Sequence, residues 1–426
     1  MEHIQFERRT WNHIRLHVLP TDRFKTFAIS VYIGRPLGEE TVTNTALTPF
    51  VLRRGTALRP ETKQFREHLD DLYGAGFGFD IYKRGDYQIV QLRMDIINDR
   101  FVKSAQSLLQ QGLDFVGETL TKPATENGHF RQKYVDSEKQ TLQKRIESVI
   151  NDKIRYAAER CMEEMCADEP YRLHPLGKIS DLDRINSEQL YEQYRVWLQT
   201  APIDIYVVGN TTLTEVEDIV KGAFAIDRKE DVSYLTSEPR GASGEVKTIV
   251  ERLDVNQGKL NLGLRTNLSY RDDKYPVALM YNGVLGGYPH SKLFINVREK
   301  ASLAYYASSR FDGHKGILTI QSGIEMANYE KAVDIIRKQL SAMEQGEIND
   351  TEMSQTKAMI SNQLREIQDS AFELISFDFN AILSGKERSV SGLIEAVEQV
   401  DVPAIAEAAK RVQLDTIYFL RDQKGE

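Results

Sequence analysis

Two side chains in the C-terminal half, Arg298 and Tyr305, form the pair in this sequence with the clearest chemical use. A guanidinium and a phenol can both donate hydrogen bonds. Side by side they can hold a carbonyl and steady an oxyanion as it forms. The surrounding string, PHSKLFINVREKASLAYYAS from Pro289 to Ser308, shows how they would be delivered. Pro-His-Ser is a helix-start pattern, with Ser291 as the N-cap. Leu293, Phe294 and Val297 follow at helical spacing and would face a core. Arg298, Glu299 and Lys300 close the helix, and Leu303 to Ser309 reads as a strand. Tyr306 would point to the opposite face of that strand. By spacing alone the plainer reading is the stronger one: a surface arginine, favoured at a helix end by the dipole, near a core tyrosine.

Other chemistry-bearing residues are scattered. His13 and His17 would share one strand face, but ~13 Å apart, too far for one metal ion. His3, His68, His129, His174, His290 and His314 stand in no metal-ligand string. Cys161 and Cys166, at i,i+5, lie about 140° apart around a helix and read as buried free thiols.

The string SKLFINVREKASLAYYASS closely resembles the second half of the pitrilysin/insulinase family of zinc metallopeptidases, the inverzincins. There a small-Arg/Lys-Leu-Phe start leads to Leu/Val-Arg-Glu-Lys and then Leu-Ala-Tyr. The family's Arg and Tyr stand seven residues apart, which selects Arg298 and Tyr305 here. Active members also carry His-x-x-Glu-His on a helix just ahead of a closing Gly-Thr. Residues Gly38 to Thr56, GEETVTNTALTPFVLRRGT, match that helix, with Thr43 and Asn44 as candidate caps and Ala46, Leu47, Phe50, Val51 and Leu52 as an apolar stripe. Counting back from Gly55-Thr56 puts the two histidine roles on Ala46 and Phe50 and the glutamate role on Pro49. None can bind a metal or move a proton, and Pro49 is expected in the first turns, where a missing donor is tolerable. The family's third ligand is a Glu seven residues after an earlier Glu. Glu138 matches the earlier position, which places Arg145, a cation, at the ligand position. The resemblance therefore implies no metal or other cofactor in this chain.

Bulk properties set the class. The 426 residues carry a net charge of −8, with 41% hydrophobic and 28% charged residues, and exceed one ordinary core. No run of basic residues favours phosphate contacts, so nucleic-acid binding is not expected. No 18-residue apolar run suggests a membrane helix, and the opening MEHIQFERRTWNHIRL lacks a signal-peptide core. Two cysteines point to the reducing cytoplasm.

Along the chain, Ile4 to Gly34 reads as three strands, with a turn at Trp11-Asn12-His13. Thr62 to Leu72 reads as a helix that includes His68, and Gly76 to Met94 as two strands turning at Arg84-Gly85-Asp86. Asn98 to Val116 reads as one helix, with Phe101 and Ala105 on its apolar face, and Glu126 to about Met165 as one long helical stretch. A loop over Glu169 to Gly177, a helix from Ser187 to Leu198, a strand from Ile203 to Val208 and a helix from Asn210 to Phe224 follow. The polar stretch Arg228 to Glu245 is the best linker.

The halves repeat each other. DLYGAGFGFDIYKRGDYQIVQLRMDIINDRF and EKASLAYYASSRFDGHKGILTIQSGIEMANY both give strand, Gly turn, strand and then a helix, and KQTLQKRIESVIND parallels KAMISNQLREIQDS. The expectation is an α+β fold of two homologous halves, each a mostly antiparallel sheet with packed helices. Domains are expected at 1–230 and 246–426, joined by 231–245. In the resembled family, two-half chains pair into a clamshell, and one subunit can carry His-x-x-Glu-His while its partner carries the Arg/Tyr pair. The resemblance thus implies an inactive homologue that binds peptide substrate and supports the oxyanion for a zinc-bearing, His-x-x-Glu-His partner subunit. The other reading is a peptide-binding or structural scaffold with no role in hydrolysis.

Overall fold

A computed structural model describes residues 4–104, 106–235, 238–242 and 244–423. His3, Ala105 and three positions of the expected linker (236, 237 and 243) lie outside the described residues.

The chain opens with β1 (Glu7–Trp11), β2 (Ile14–Pro20) and β3 (Thr26–Pro36), then α1 (Val42–Leu52) and α2 (Thr62–Asp71). β4 (Gly76–Arg84) and β5 (Tyr87–Ile97) form a hairpin ahead of α3 (Leu108–Thr121). A short ribbon of β6 (Thr125–Glu126) and β7 (His129–Phe130) precedes α4 (Gln132–Asn151) and α5 (Lys153–Met165). Then come α6 (Ile179–Leu182), α7 (Ser187–Thr200), β8 (Ile203–Gly209) and α8 (Leu213–Ala223). The second half holds β9 (Lys247–Arg252), β10 (Gly258–Arg265), α9 (Tyr275–Asn282), β11 (Ala304–Asp312) and β12 (Ile317–Ile324). It closes with α10 (Tyr329–Glu344), α11 (Asp350–Glu366), α12 (Ala371–Ser384), α13 (Val390–Glu398), α14 (Val402–Ala409) and β13 (Gln413–Arg421).

The α+β architecture and the duplication are both present. One sheet runs β4-β5-β3-β8-β2-β1, and the other runs β11-β12-β10-β13-β9. Position for position the second repeats the first without its outermost strand. All pairs are antiparallel except β2 with β8 and β9 with β13, which occupy equivalent places.

In the first sheet the alternation of β3 sends Ile29, Val31 and Ile33 to one face, where they join Leu47 and Phe50 of α1, Leu113 of α3, Trp197 of α7 and Val220 of α8 in one core. Ser30 and Tyr32 face the other way.

The chain forms two compact units that cross the halves. The first contains Met1–Glu147, Leu173–Leu235 and Ser370–Phe379. The second contains Ser148–Arg172, Thr236–Asp369 and Asn380–Glu426. Within the second unit, Ala157 and Cys161 of α5 pack on Tyr418 and Leu420 of β13. Within the first, Phe379 of α12 stacks on Tyr32 of β3, with ring centroids 3.8 Å apart. Inside the stretch expected as a linker, Tyr234 is buried and its hydroxyl donates to Asp204.

Several local expectations are corrected. The stretch 126–165 is not one helix: Asn127 and Gly128 turn a β-ribbon, and Asp152 interrupts the rest by capping α5, accepting from the amides of Ile154 and Arg155. The helix expected from Asn98 starts only at Leu108, capped by Ser107, and Asp99–Phe101 forms a single tight turn that leaves Phe101 exposed. Thr43 and Asn44 do not cap α1. The helix begins at Val42, so Thr43 binds Asp181 and Asn44 binds Gln193. Pro49 is then two turns in, where it removes one helical donor instead of an end donor.

Candidate functional site

Leu293 and Val297 are fully buried, which anchors the segment before Arg298. From Phe294 to Lys300 the backbone winds as a π-helix, a wider coil than the α-helix expected there. Ser291 does not cap it: its buried hydroxyl has no hydrogen-bond partner. The segment ends where Ser302 adopts a left-handed conformation (φ 52°) and the Leu303 amide donates to the Val297 carbonyl at 3.2 Å. That turn feeds directly into β11, the outermost strand of its sheet.

Arg298 is exposed, with its guanidinium 4.5 Å above the ring of Phe294 one turn back. The ring orients the cation without using any N–H donor. Tyr305 is 66% exposed. The β11–β12 register slips there: Ala304 pairs with Ile324 and Tyr306 with Gly323, leaving Tyr305 as the extra residue of a β-bulge. Tyr306 is half-buried, and a Cβ on Gly323 would collide with its ring. Burial pushes the Tyr306 hydroxyl up to about 12. Among the described residues, neither the Arg298 guanidinium nor the Tyr305 hydroxyl makes a hydrogen bond or ion pair. Two unused donors therefore stand on consecutive elements, the first on a helix end and the second on a bulge.

The counterpart helix in the first unit offers no metal chemistry. Ala46, Pro49 and Phe50 are all buried. The Arg145 guanidinium of α4 lies 5.7 Å above the Phe50 ring, and Phe50 meets Phe79 of β4 edge-on at 4.8 Å. These residues do not fit zinc, because the positions supply two hydrocarbons, a proline and a cation. Among the described residues, no group of three or more His, Cys, Asp or Glu could hold a metal ion. Glu138, also on α4, is buried against Arg54, with Oε1 3.2 Å from Nε. Burial raises its carboxyl above the ordinary value, against the pull of Arg54 and Arg53.

The expected His13/His17 strand face does not form. His13 sits in the turn before β2 with φ 61° and meets Asp231. His17 is buried in a polar cluster that no local pattern announces. Arg8 reaches its Nδ1 at 2.7 Å, and since arginine can only donate, Nε2–H donates to Asp204 at 2.9 Å. Arg15 grips both Asp204 oxygens at 2.7 Å, and Arg8 also forks onto Asp378. This explains His17 as a structural residue.

The duplicated α+β fold thus has no metal donor at Ala46, Pro49 or Phe50 of α1, and it leaves Arg298 and Tyr305 exposed in its second half. Residues 184–360 match the family description "Peptidase M16 inactive domain". The chain is 40% identical over 409 residues to the "Probable inactive metalloprotease YmfF" of Bacillus subtilis (strain 168), covering 96% of each. It is also 22% identical over 240 residues to that organism's "Uncharacterized zinc protease YmxG", covering 56% of this chain and 58% of the relative. A conserved protein from Enterococcus faecalis V583 superposes with a TM-score of 0.91 at 29% identity, over 100% of this chain and 99% of the other. The peptidase M16 inactive domain protein from Pseudomonas fluorescens shares the fold, with a TM-score of 0.80 at 16% identity over 99% of both chains. The chain belongs to the M16 peptidase family, as an inactive member.

Proposed function

We propose that this chain is the non-catalytic, substrate-binding subunit of a two-chain peptidase. A homologous partner bearing His-x-x-Glu-His supplies the zinc, the water and the general base. Arg298 and Tyr305 hold the scissile carbonyl of the peptide and stabilise the oxyanion that develops on it. The observation that carries this reading is the pair of exposed donors left unused by the fold, with Tyr305 set out on a bulge. Bulges re-aim side chains and are over-represented beside active sites. A scaffold needs neither feature. Bacillus subtilis carries relatives named both as an inactive metalloprotease and as a zinc protease, which is in keeping with such a division of labour. Cys161 and Cys166 are buried and not joined in a disulfide, in keeping with a cytoplasmic complex, and no helix among the described residues is long and apolar enough to cross a membrane.

The test is steady-state peptide cleavage by the chain reconstituted with a zinc-bearing partner, with assembly checked by size. Tyr305→Phe removes one hydroxyl and is expected to lower turnover by up to about 100-fold with assembly intact. Arg298→Lys should also impair cleavage, because lysine lacks the planar fork. Tyr306→Phe is the control. If the Tyr305 and Arg298 variants both cleave at the unmodified rate, the scaffold reading replaces this one.

A further inference from the structure

Lys259, on β10, is a buried cation that the fold leaves without a counter-charge. It is 9% exposed. Its ammonium has three N–H groups and makes one hydrogen bond, to Oε1 of Gln257 in the loop before β10. Among the described residues it forms no ion pair. Lys292 and Lys315, also buried in the second unit, do form them: Lys292 reaches Glu352 at 3.1 Å and Lys315 reaches Glu169 at 2.7 Å. The carboxylate whose charge acts on Lys259 is Asp152, which stands beyond ion-pair reach and gives Oδ1 to the amides of Ile154 and Arg155. Burial lowers the Lys259 ammonium below its ordinary value, and Asp152 only partly offsets this. A charge taken out of water is costly unless it is paired. Two unused N–H groups on such a cation leave room for an anion supplied from outside the chain.

Strand pairing puts this cation close to Tyr305. Lys259 pairs with Gly323 of β12, and Gly323 pairs with Tyr306 of β11, so the three lie in one row across the sheet. Side chains in such a row share a face. Gly323 has no side chain to separate the other two, and the Lys259 ammonium stands 5.9 Å from the centre of the Tyr306 ring. Gln257 borders the same notch, since a Cβ on Gly323 would meet its Oε1 at 2.9 Å. Tyr305 is the residue next to Tyr306, set out on the bulge. On its other side Lys259 pairs with Leu420 of β13, an apolar neighbour packed under α5 that offers no counter-charge. One ammonium with two unused N–H groups suits a carboxylate, which carries one charge on two acceptor oxygens.

We propose that Lys259, held by Gln257, is a specificity residue that receives a carboxylate of the peptide whose scissile carbonyl is held at Tyr305. An acidic side chain and a C-terminal carboxylate offer it the same acceptors. The assignment rests on the peptide-binding part of the function proposed above, but not on a zinc-bearing partner.

The isolated full chain is titrated, at constant ionic strength, with three labelled peptides of one length. The first carries a single glutamate and an amidated C-terminus. The second is its glutamine counterpart, also amidated, and the third is the glutamine peptide with a free C-terminal carboxylate. Fluorescence anisotropy reads binding. A carboxylate peptide is expected to bind about tenfold more tightly than the neutral one, as for a charge-assisted hydrogen bond, and the peptide that does so identifies the source. Lys259→Met removes the charge at similar length and should abolish that preference. It should also leave the melting temperature unchanged or raise it, because an unpaired buried cation gives way to an apolar chain. Lys259→Gln gives the same binding readout if the methionine variant folds poorly. Equal binding of all three peptides, binding of none, or a preference that survives both variants overturns the proposal. A methionine variant that melts lower and loses the neutral peptide as well also overturns it, since the lysine would then be structural. The cleavage assays on Tyr305 and Arg298 variants are a separate decision: if those variants cleave at the unmodified rate while the Lys259 preference stands, only the oxyanion role falls.

Discussion

At the scale of single residues, Asp204 is a heavily committed carboxylate of the first unit. It is completely buried, and it accepts from both nitrogens of the Arg15 fork, from His17 and from Tyr234. Burial by itself would raise its carboxyl, but the Arg15 fork and His17 outweigh that and hold it below the usual carboxylate value. A carboxyl depressed in the folded state contributes stability above its unfolded value, about 3.9. That contribution is lost as pH falls through the folded value. Asp204→Asn should therefore cost about 3–5 kcal/mol at neutral pH, since it leaves Arg15 facing an amide. The gap to the unmodified chain should close as the pH drops below the ordinary carboxylate range. Denaturant titrations at neutral and acid pH check this, and a gap that stays constant into acid would show that the charge is not its source. Tyr305 makes a different point at the same scale: its exposure follows from one slipped register position, which leaves it without a cross-strand partner.

Among the elements, α5 and the start of α12 matter most for the architecture. Each follows the long helix of its own half, α4 or α11, and each packs on the sheet built mainly by the other half. The α5 segment is held within the second unit by a charge cluster at its end. Glu169 receives Arg265 and Lys315, both at 2.7 Å, and Arg265 also meets Asp415. Tyr171 donates to Asp312 at 2.6 Å and carries Lys315 over its ring at 5.4 Å. Burial opposes the Glu169 charge, yet Lys315 and Arg265 keep its carboxyl below the ordinary value. Glu169→Gln leaves two buried cations short of a counter-charge, a change that costs roughly 3–5 kcal/mol in buried pairs. Hydrogen exchange should then speed up across residues 148–172 before it does so in β10 or β13. Unchanged protection of that segment would mean that apolar contacts alone hold it.

For the whole molecule, the repeat explains how one unit can lack metal donors while the fold of both units stays intact. Both sheets have the same strand order, so each unit has its own scaffold, and α1 keeps its buried stripe although Ala46, Pro49 and Phe50 carry no ligand. Metal analysis of chelator-free protein is expected to find well under one zinc per chain. The combined change Ala46→His, Pro49→Glu and Phe50→His should not by itself give an active enzyme, because zinc needs a third protein ligand and Arg145 stands over Phe50. Tight binding of one zinc by that variant, with robust peptidase activity, would move the third-ligand position away from Arg145. Glu138, the buried carboxylate two turns earlier on α4, would then be the first residue to examine.

Much of this protein was determined by its sequence alone, because the governing signals are local. Strand alternation, helical stripes and the internal repeat announce two α+β halves. The spacing between Arg298 and Tyr305, and the absence of donors at Ala46, Pro49 and Phe50, are properties of short strings. Resemblance then carried those strings to a family that the comparison with YmfF supports. What only the tertiary structure decided depends on partners remote in the chain. Arg8 meets Asp378 across 370 positions, Tyr171 meets Asp312 across 141, and no periodicity within a window can encode either pair. The bulge at Tyr305 is likewise a property of two strands in register, not of one. The break between α4 and α5 is hidden in the sequence for a related reason: the helical pattern continues through Asp152, and the cap it forms starts a second helix. Burial of His17 between Arg8 and Asp204 is likewise a tertiary outcome, since both partners are remote in the chain or on a neighbouring strand.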